Sequence, residues 1–451
     1  MNSQTAEAST SDGSLLRVLG VAFGIAVLVG NTIGMGILRT PGEVAERLPT
    51  VGLFLGVWVL GAIYALIGAL TVAELGASKP RSGGLYPIVH DGLGSFPGFV
   101  SGWTDWIATC GSMAAVAIVL GEYSGPLVPL LDGRERLVAS VIIVGFCLLQ
   151  WRGVRIGDVV QQFTSLLKAV ALVVLAVVAL VVSAGGPAAD VAVSSVPEIS
   201  PGVLLASSVV VALQSAIYTY DGWTGPIYFG EEVKDPGRDI PRAMVGGVLL
   251  VLAIYLALNV AFLRVLSIEE MAGDPFVAAT AATRLFGPSG DTILRVLMIV
   301  SLLASVNALQ LMASRVPYAM SRDGLLPRAL GRVNRGGTPV TSLFCGAGVA
   351  LFFVLTNTFD TVLALLAFFF VANYALTFIA FFVLRRREPD LERPFKVPAY
   401  PWIPLLALLG SLAFLAGALV GDTRNSMVAL GLLAGSWPVY WWTRRRKSRS
   451  D

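Results

Sequence analysis

Charge is scarce in this sequence. Only 14% of its 451 residues are Asp, Glu, Lys or Arg, 55% are hydrophobic, and the mean hydropathy is +0.77. A soluble globular chain carries about a quarter charged residues, so this composition excludes one, and no long polar stretch dilutes the apolar part. Histidine occurs once, at His90. The three cysteines, Cys110, Cys147 and Cys345, fall in apolar runs with neither metal-ligand nor disulfide spacing and read as small buried hydrophobes. No Walker loop, Gly-x-Ser-x-Gly elbow or His cluster is present, and no polar region could house an ATPase. An enzyme, a cofactor and a metal are therefore not expected. The period-two alternation of a membrane β-barrel is missing as well.

What the chain has instead is long apolar runs. A spanning helix needs about 20 apolar residues, at about 1.5 Å per residue across about 30 Å of hydrocarbon. Such runs lie near 17–38, 51–77, 98–124, 137–151, 160–183, 204–230, 241–266, 290–320, 340–357, 360–385, 404–420 and 426–443, which predicts about twelve spans of an all-α integral membrane protein. Met1 to Ser14 lacks the basic start of a signal peptide and reads as a polar tail. With that tail inside, Lys and Arg favour the inner loops more than two to one. Arg81, Arg152, Lys234, Arg328 and Arg386 mark successive inner loops, and the run Arg444 to Lys447 marks the end. A missed span would reverse this bias, so its persistence predicts a multi-pass protein of the cytoplasmic membrane with both termini inside. The terminal arginines read as a topology anchor and not as a nucleic-acid site.

Two of these runs are broken. The first contains Gly30-Asn31-Thr32-Ile33-Gly34-Met35-Gly36, and the sixth contains Tyr218-Thr219-Tyr220-Asp221-Gly222-Trp223-Thr224-Gly225-Pro226. They stand five spans apart, an odd number, so the two units enter the membrane from opposite sides. Gly- or Pro-interrupted spans at matching positions of two halves point to a transporter's binding site. The predicted organisation is a tail over 1–16, a first repeat over 17–183, a second over 204–385, two further spans within 404–443 and a basic tail over 444–451.

The chemistry of a break follows from its backbone. Unwinding frees N–H and C=O groups that must find partners in lipid. A carboxylate suits N–H groups at the start of one half-helix, and an ammonium suits carbonyls at the end of another. A small amino acid carries both. The competing reading of Gly30, Gly34 and Gly36 is close helix packing. Asp221, an acid inside an apolar run, should face a cavity or a partner; it could bind an ammonium, sense protons or cap the inner half-helix. Lys168, another charge inside a run, could instead snorkel to the surface. Glu231 and Glu232 could cap or gate, Asp105 and Glu122 sit near span ends within reach of water, and His90 could relay protons. Tyr218, Tyr220 and Trp223 are packing residues or gates.

The first break, the loop Pro80-Arg81-Ser82-Gly83-Gly84-Leu85-Tyr86, the stretch from Tyr220 to Trp223 with Glu231-Glu232-Val233-Lys234-Asp235-Pro236, and the run from Ser314 to Pro327 together resemble the amino acid–polyamine–organocation superfamily, and within it the L-type amino acid transporters. The resemblance covers roughly residues 17–400. It implies a LeuT-type five-plus-five inverted repeat with discontinuous helices 1 and 6 and two extra C-terminal helices. It implies that backbone from Thr32 to Gly36, with Asn31, Ile33, Gly34 and Met35, takes a substrate carboxylate. Carbonyls of Tyr218, Thr219 and Asp221 would take the ammonium, beside Trp223, with Tyr218 as an outer gate. Lys168 would stand in for a sodium ion, with Asn307 facing that region. The expected function is sodium-independent transport of L-amino acids, neutral ones foremost, by exchange or proton symport, with lipid around the protein. Asp221 departs from the glycine usual in L-type relatives and opens the alternative of a cationic amino acid or polyamine. A non-transporting amino acid sensor is the reading from another class.

Overall fold

In lipid, a chain can satisfy its backbone over such runs only as helix. The computed structural model describes residues 15–34, 36–184, 203–356, 359–421 and 423–447, and among them are sixteen α-helices and no strands. The first predicted span is two helices, α1 (Val21–Thr32) and α2 (Gly36–Arg47), bent by 49°. Then come α3 (Val51–Ser78), started by Thr50 Oγ1 accepting from the Leu53 N–H at 3.4 Å, the short connector α4 (Tyr86–Leu93), α5 (Ser95–Ser124), α6 (Glu135–Trp151) and α7 (Val154–Ala184). The sixth span begins as α8 (Val203–Thr219). Next are α9 (Pro236–Val265), the small outer helices α10 (Ile268–Met271) and α11 (Val277–Phe286), α12 (Ser289–Arg322), α13 (Val340–Thr356), α14 (Phe359–Arg387), α15 (Trp402–Gly421) and α16 (Thr423–Lys447).

Each of the twelve predicted runs meets one helix or one broken pair. Among the described residues, seven helices are long and apolar enough to cross a membrane by themselves, eight counting the bent pair. α6 and α13 have 17 residues each, about 25 Å of helix. Three details differ from expectation. α7 begins at Val154 and not near 160, because the turn Arg152–Gly153 leads straight into it, which puts Lys168 near the helix's middle. α16 runs on to Lys447, so the start of the predicted basic tail is helical. Cys345 is exposed: it shares the outward face of α13 with Phe344. The tail before residue 15, the link 185–202, the join at 357–358 and residues 448–451 lie outside the described residues.

The helices pack as two sets. α9 lies against both α1 and α3, with α8 on α2 and α3; α5, α6, α12 and α13 form the other set. α7 bridges them, touching α1, α9 and α12, and α14 touches α3, α4 and α5. The fully buried Glu74 of α3 ties in the connection before α15. It is met by Arg393 at 3.1 Å and Arg385 at 3.3 Å, and it accepts from the Val397 N–H at 2.7 Å.

Candidate substrate site

The first break opens where α1 ends at Thr32. The Ile33 N–H still donates to Val29 O at 3.0 Å, and helix resumes at Gly36. The N–H groups of the first turn of α2 have no partner within the helix and sit at its positive end. The second break follows Thr219. The Tyr220 N–H donates to Ala216 O at 3.0 Å and the Asp221 N–H to Tyr218 O at 3.0 Å, a tight turn in place of further helix. The chain then passes Gly222 at φ +112°. The discontinuous second half expected here does not resume as α-helix: Gly225–Tyr228 and Gly230–Glu232 are 3-10 turns. Pro226 has no N–H to give, and the glycines weaken any helix that tries to form.

The two breaks touch. A side chain at Gly222 would put Cβ 2.7 Å from Thr32 Oγ1 and 2.8 Å from Asn31 Nδ2. One at Gly36 would meet Thr219 Cγ2 at 2.9 Å. Tyr255 of α9 binds them together from behind, its buried hydroxyl lying 2.9 Å from Thr32 O and 3.0 Å from Thr219 O. The C-terminal, negative ends of α1 and α8 therefore converge on one hydroxyl. The packing reading of the glycines is right for Gly30, where a Cβ would come 2.1 Å from Gln161 Nε2, and not for Gly34, which has nothing within 4 Å.

Between the breaks and the helices α5, α12 and α14 lies a cavity of about 140 Å³. That is roughly ten times the 10–15 Å³ that one water needs. Asn31, Thr32, Gly34, Gly36, Tyr218, Thr219 and Asp221 line it. Tyr218 is 37% exposed because it borders this space. Thr32 Oγ1 is buried without a hydrogen-bond partner, an opening for a ligand. Ile33 does not line the cavity: its side chain is buried in the core and its carbonyl faces Lys168. Trp223 is buried against Tyr374, ring centroids 4.8 Å apart, beside a smaller space that Asp221 also borders. Met35 lies outside the described residues. Asp221 accepts a hydrogen bond from the Tyr374 hydroxyl, and the 3-10 turn at Gly225 has no side-chain cap, so the carboxylate is not a helix cap.

Asp105 and Tyr374 also line the cavity, where the sequence gives no expectation of them. The expectation of water near a span end fails because α5 begins at Ser95, leaving Asp105 deep in the helix, 2% exposed, on the cavity wall. The Tyr228 hydroxyl donates to its carboxylate, 2.8 Å from each oxygen.

Behind α1, Lys168 is fully buried, which excludes snorkelling. Its Nζ donates to Gly30 O at 3.0 Å, to Ile33 O and to Ser305 Oγ at 2.9 Å, using all three of its protons. Asn307 does not reach the cavity. It donates to Gln161 Oε1 at 2.7 Å and accepts from Gln150 Nε2 at 2.9 Å, and Gln161 in turn donates to Ala26 O at 3.1 Å. Lys168 and Asn307 thus belong to one polar layer that clamps α1 between α7 and α12.

Beyond the second break the chain enters a cluster of ion pairs. Glu232 is fully buried and bidentate with Arg315, at 3.0 and 2.9 Å, and the guanidinium lies 4.9 Å over the Phe229 ring. The solvated-cap reading of Glu232 therefore fails. Glu231 pairs with Arg322 at 2.5 Å. Alongside, Arg81 meets Asp323 at 2.7 Å and Asp91 at 3.1 Å. Burial pushes the Asp91 carboxyl up, but the His90 hydrogen bond and the Arg81 and Lys79 charges outweigh it and hold it below the usual range. His90 sits beside Asp91, away from the cavity lining.

A bundle of membrane-crossing helices whose two broken spans meet around a central cavity is the architecture of a secondary transporter. Comparison with known proteins names the kind. Residues 14–441 match the amino acid permease family, and the chain belongs to that family, within the amino acid–polyamine–organocation superfamily and on its L-type side. It is 32% identical over 449 residues to a serine/threonine exchanger of Bacillus subtilis (strain 168), covering 97% of this chain and 99% of that protein. It is 28% identical over 407 residues to the human b(0,+)-type amino acid transporter 1, covering 88% and 82%. To the human large neutral amino acids transporter small subunit 2 it is 28% identical over 459 residues, covering 99% and 85%. The family and these relatives are transporters of amino acids, not enzymes.

Proposed function

We propose that this protein carries L-amino acids across the cytoplasmic membrane without sodium, by exchange, with both termini inside. The observation that carries the reading is Lys168. Its ammonium, held by two carbonyls of the first break and by Ser305, occupies the junction of α1, α7 and α12 where a bound cation would otherwise have to hold the break open. A covalently attached cation needs no ion gradient to fill its site. The substrate's carboxylate meets the first turn of α2 and Thr32, and its ammonium meets carbonyls at the ends of α1 and α8. The two helix sets move past one another about these breaks, and the Glu232–Arg315 pair closes the inner end in one of the two states. The apolar outward face of α7, with Phe163 and Leu166 each 65% exposed, suits surrounding lipid. The Bacillus relative's name as an exchanger supports exchange over symport.

Proteoliposomes preloaded with unlabelled serine, in sodium-free buffer, test this. Uptake of radiolabelled serine or alanine should be saturable, should depend on internal amino acid and should not respond to added sodium. Absence of saturable uptake of any amino acid would refute it, and binding without flux under every gradient would favour a sensor.

A further inference from the structure

The cavity has acids and no base. Among the described residues that line it are two carboxylates, Asp105 from α5 and Asp221 from the second break, and no Lys, Arg or His. Among the described residues neither carboxylate is in an ion pair, and each is approached by a tyrosine hydroxyl instead: Tyr228 for Asp105 and Tyr374 for Asp221. An ionised carboxylate offers about four acceptor positions. One hydroxyl proton fills one of them at each group, and the Gly222 backbone N–H also serves Asp221, so acceptor positions remain on both carboxylates. A buried carboxylate without a cation is costly. A neutral amino acid brings a single ammonium, and its carboxylate is already met by the start of α2, so one of the two acids would stay uncompensated. An amino acid with a second positive charge on its side chain leaves neither bare.

We infer that Asp105 is a specificity-determining residue, the anchor for the cationic end of a basic amino acid whose α-ammonium lies at Asp221 and the break carbonyls. This rests on the proposed transport of amino acids and names the substrate class that the same cavity prefers. Asp105 approaches from the helix set opposite the breaks, so it reads the far end of a side chain. The breaks read the part common to all amino acids.

Lysine and norleucine share a carbon chain and differ by the terminal amine, so they isolate the charge. In proteoliposomes carrying the full chain, lysine should compete with radiolabelled alanine uptake at a concentration at least about tenfold below that of norleucine. In Asp105→Asn that ratio should collapse to within about threefold, and Asp105→Glu should restore most of it. Where Asp105→Asn carries too little flux for competition, the same ratio is read from ligand-induced shifts in melting temperature in detergent. Equal competition by the two ligands in the native protein overturns the inference. So does an Asp105→Asn protein that keeps the native ratio, or one that loses only the pH dependence of uptake. If alanine moves but lysine does not compete, this inference fails and amino acid transport stands. If no amino acid moves, the transport reading fails with it.

Discussion

Lys168→Met removes the ammonium and keeps most of the volume of the stem. Gly30 O retains a donor, because Ser305 Oγ lies 2.7 Å away. Ile33 O does not: its remaining neighbour is Ser301 Oγ at 3.5 Å, too long to replace a charge-assisted bond. One buried carbonyl left without a partner costs about 1–3 kcal/mol. Taken as the penalty on the break geometry that accepts substrate, this lowers the competent population, and with it the apparent affinity, by roughly 5- to 150-fold at 1.4 kcal/mol per factor of ten. The substitution also removes the cost of burying a charge, which works the other way on global stability. Melting temperature is therefore a poor readout and substrate-dependent flux a good one. The assay is the initial rate of labelled serine uptake in sodium-free buffer at a concentration well below KM, compared with the native protein at equal reconstitution density. A Lys168→Met protein that takes up serine at the native rate without sodium would refute the reasoning.

Three further outcomes are expected. Arg315→Met strands the buried Glu232 carboxylate and should cost about 3–5 kcal/mol of stability, while the double variant Arg315→Met/Glu232→Gln should recover most of it; denaturation of both reads this, and equal stability of the two would contradict it. Tyr255→Phe withdraws the donor shared by Thr32 O and Thr219 O and should raise KM about 5- to 30-fold, from roughly 1–2 kcal/mol, with a smaller effect on the maximal rate; an unchanged KM counts against the hydroxyl as an organiser of the breaks. The Asp91 carboxyl is depressed in the fold, so the stability it lends is present above its ordinary value of 3.8 and drains away as pH falls below that; Asp91→Asn should flatten the fall in melting temperature on acidification below about pH 4.

The breaks were legible because glycine and polar residues inside an apolar run are visible within seven positions of one another. Gly30, Asn31, Thr32, Gly34 and Gly36 needed no tertiary information to be noticed. What each does needed it. Ile33 sits among site residues in sequence, yet a turn of the backbone sends its side chain to the core and its carbonyl to Lys168. Asp105 was misread because its depth depends on where α5 begins, and the residues before it are too mixed in polarity to mark that start. Tyr374, 153 positions from Asp221, carries no local sign of its hydrogen bond. Glu232 stands just past the sixth run and Arg315 inside the eighth, 83 positions apart, and only packing brings them together out of water. The weak second half of the sixth span follows from Pro226 and its flanking glycines, which mark a break in the sequence without saying how much helix survives beyond it.

The hydroxyl of Tyr255 has a single hydrogen. It stands at equal reach of a carbonyl from each broken span, and at any instant it can serve one of them. The other oxygen is then without that donor, at the place where an ammonium is expected to arrive. Substrate therefore need not prise apart a satisfied pair to enter. It completes a set that is one donor short, and when it leaves, one carbonyl is again without that donor, which favours rebinding over return of the empty protein, as exchange requires.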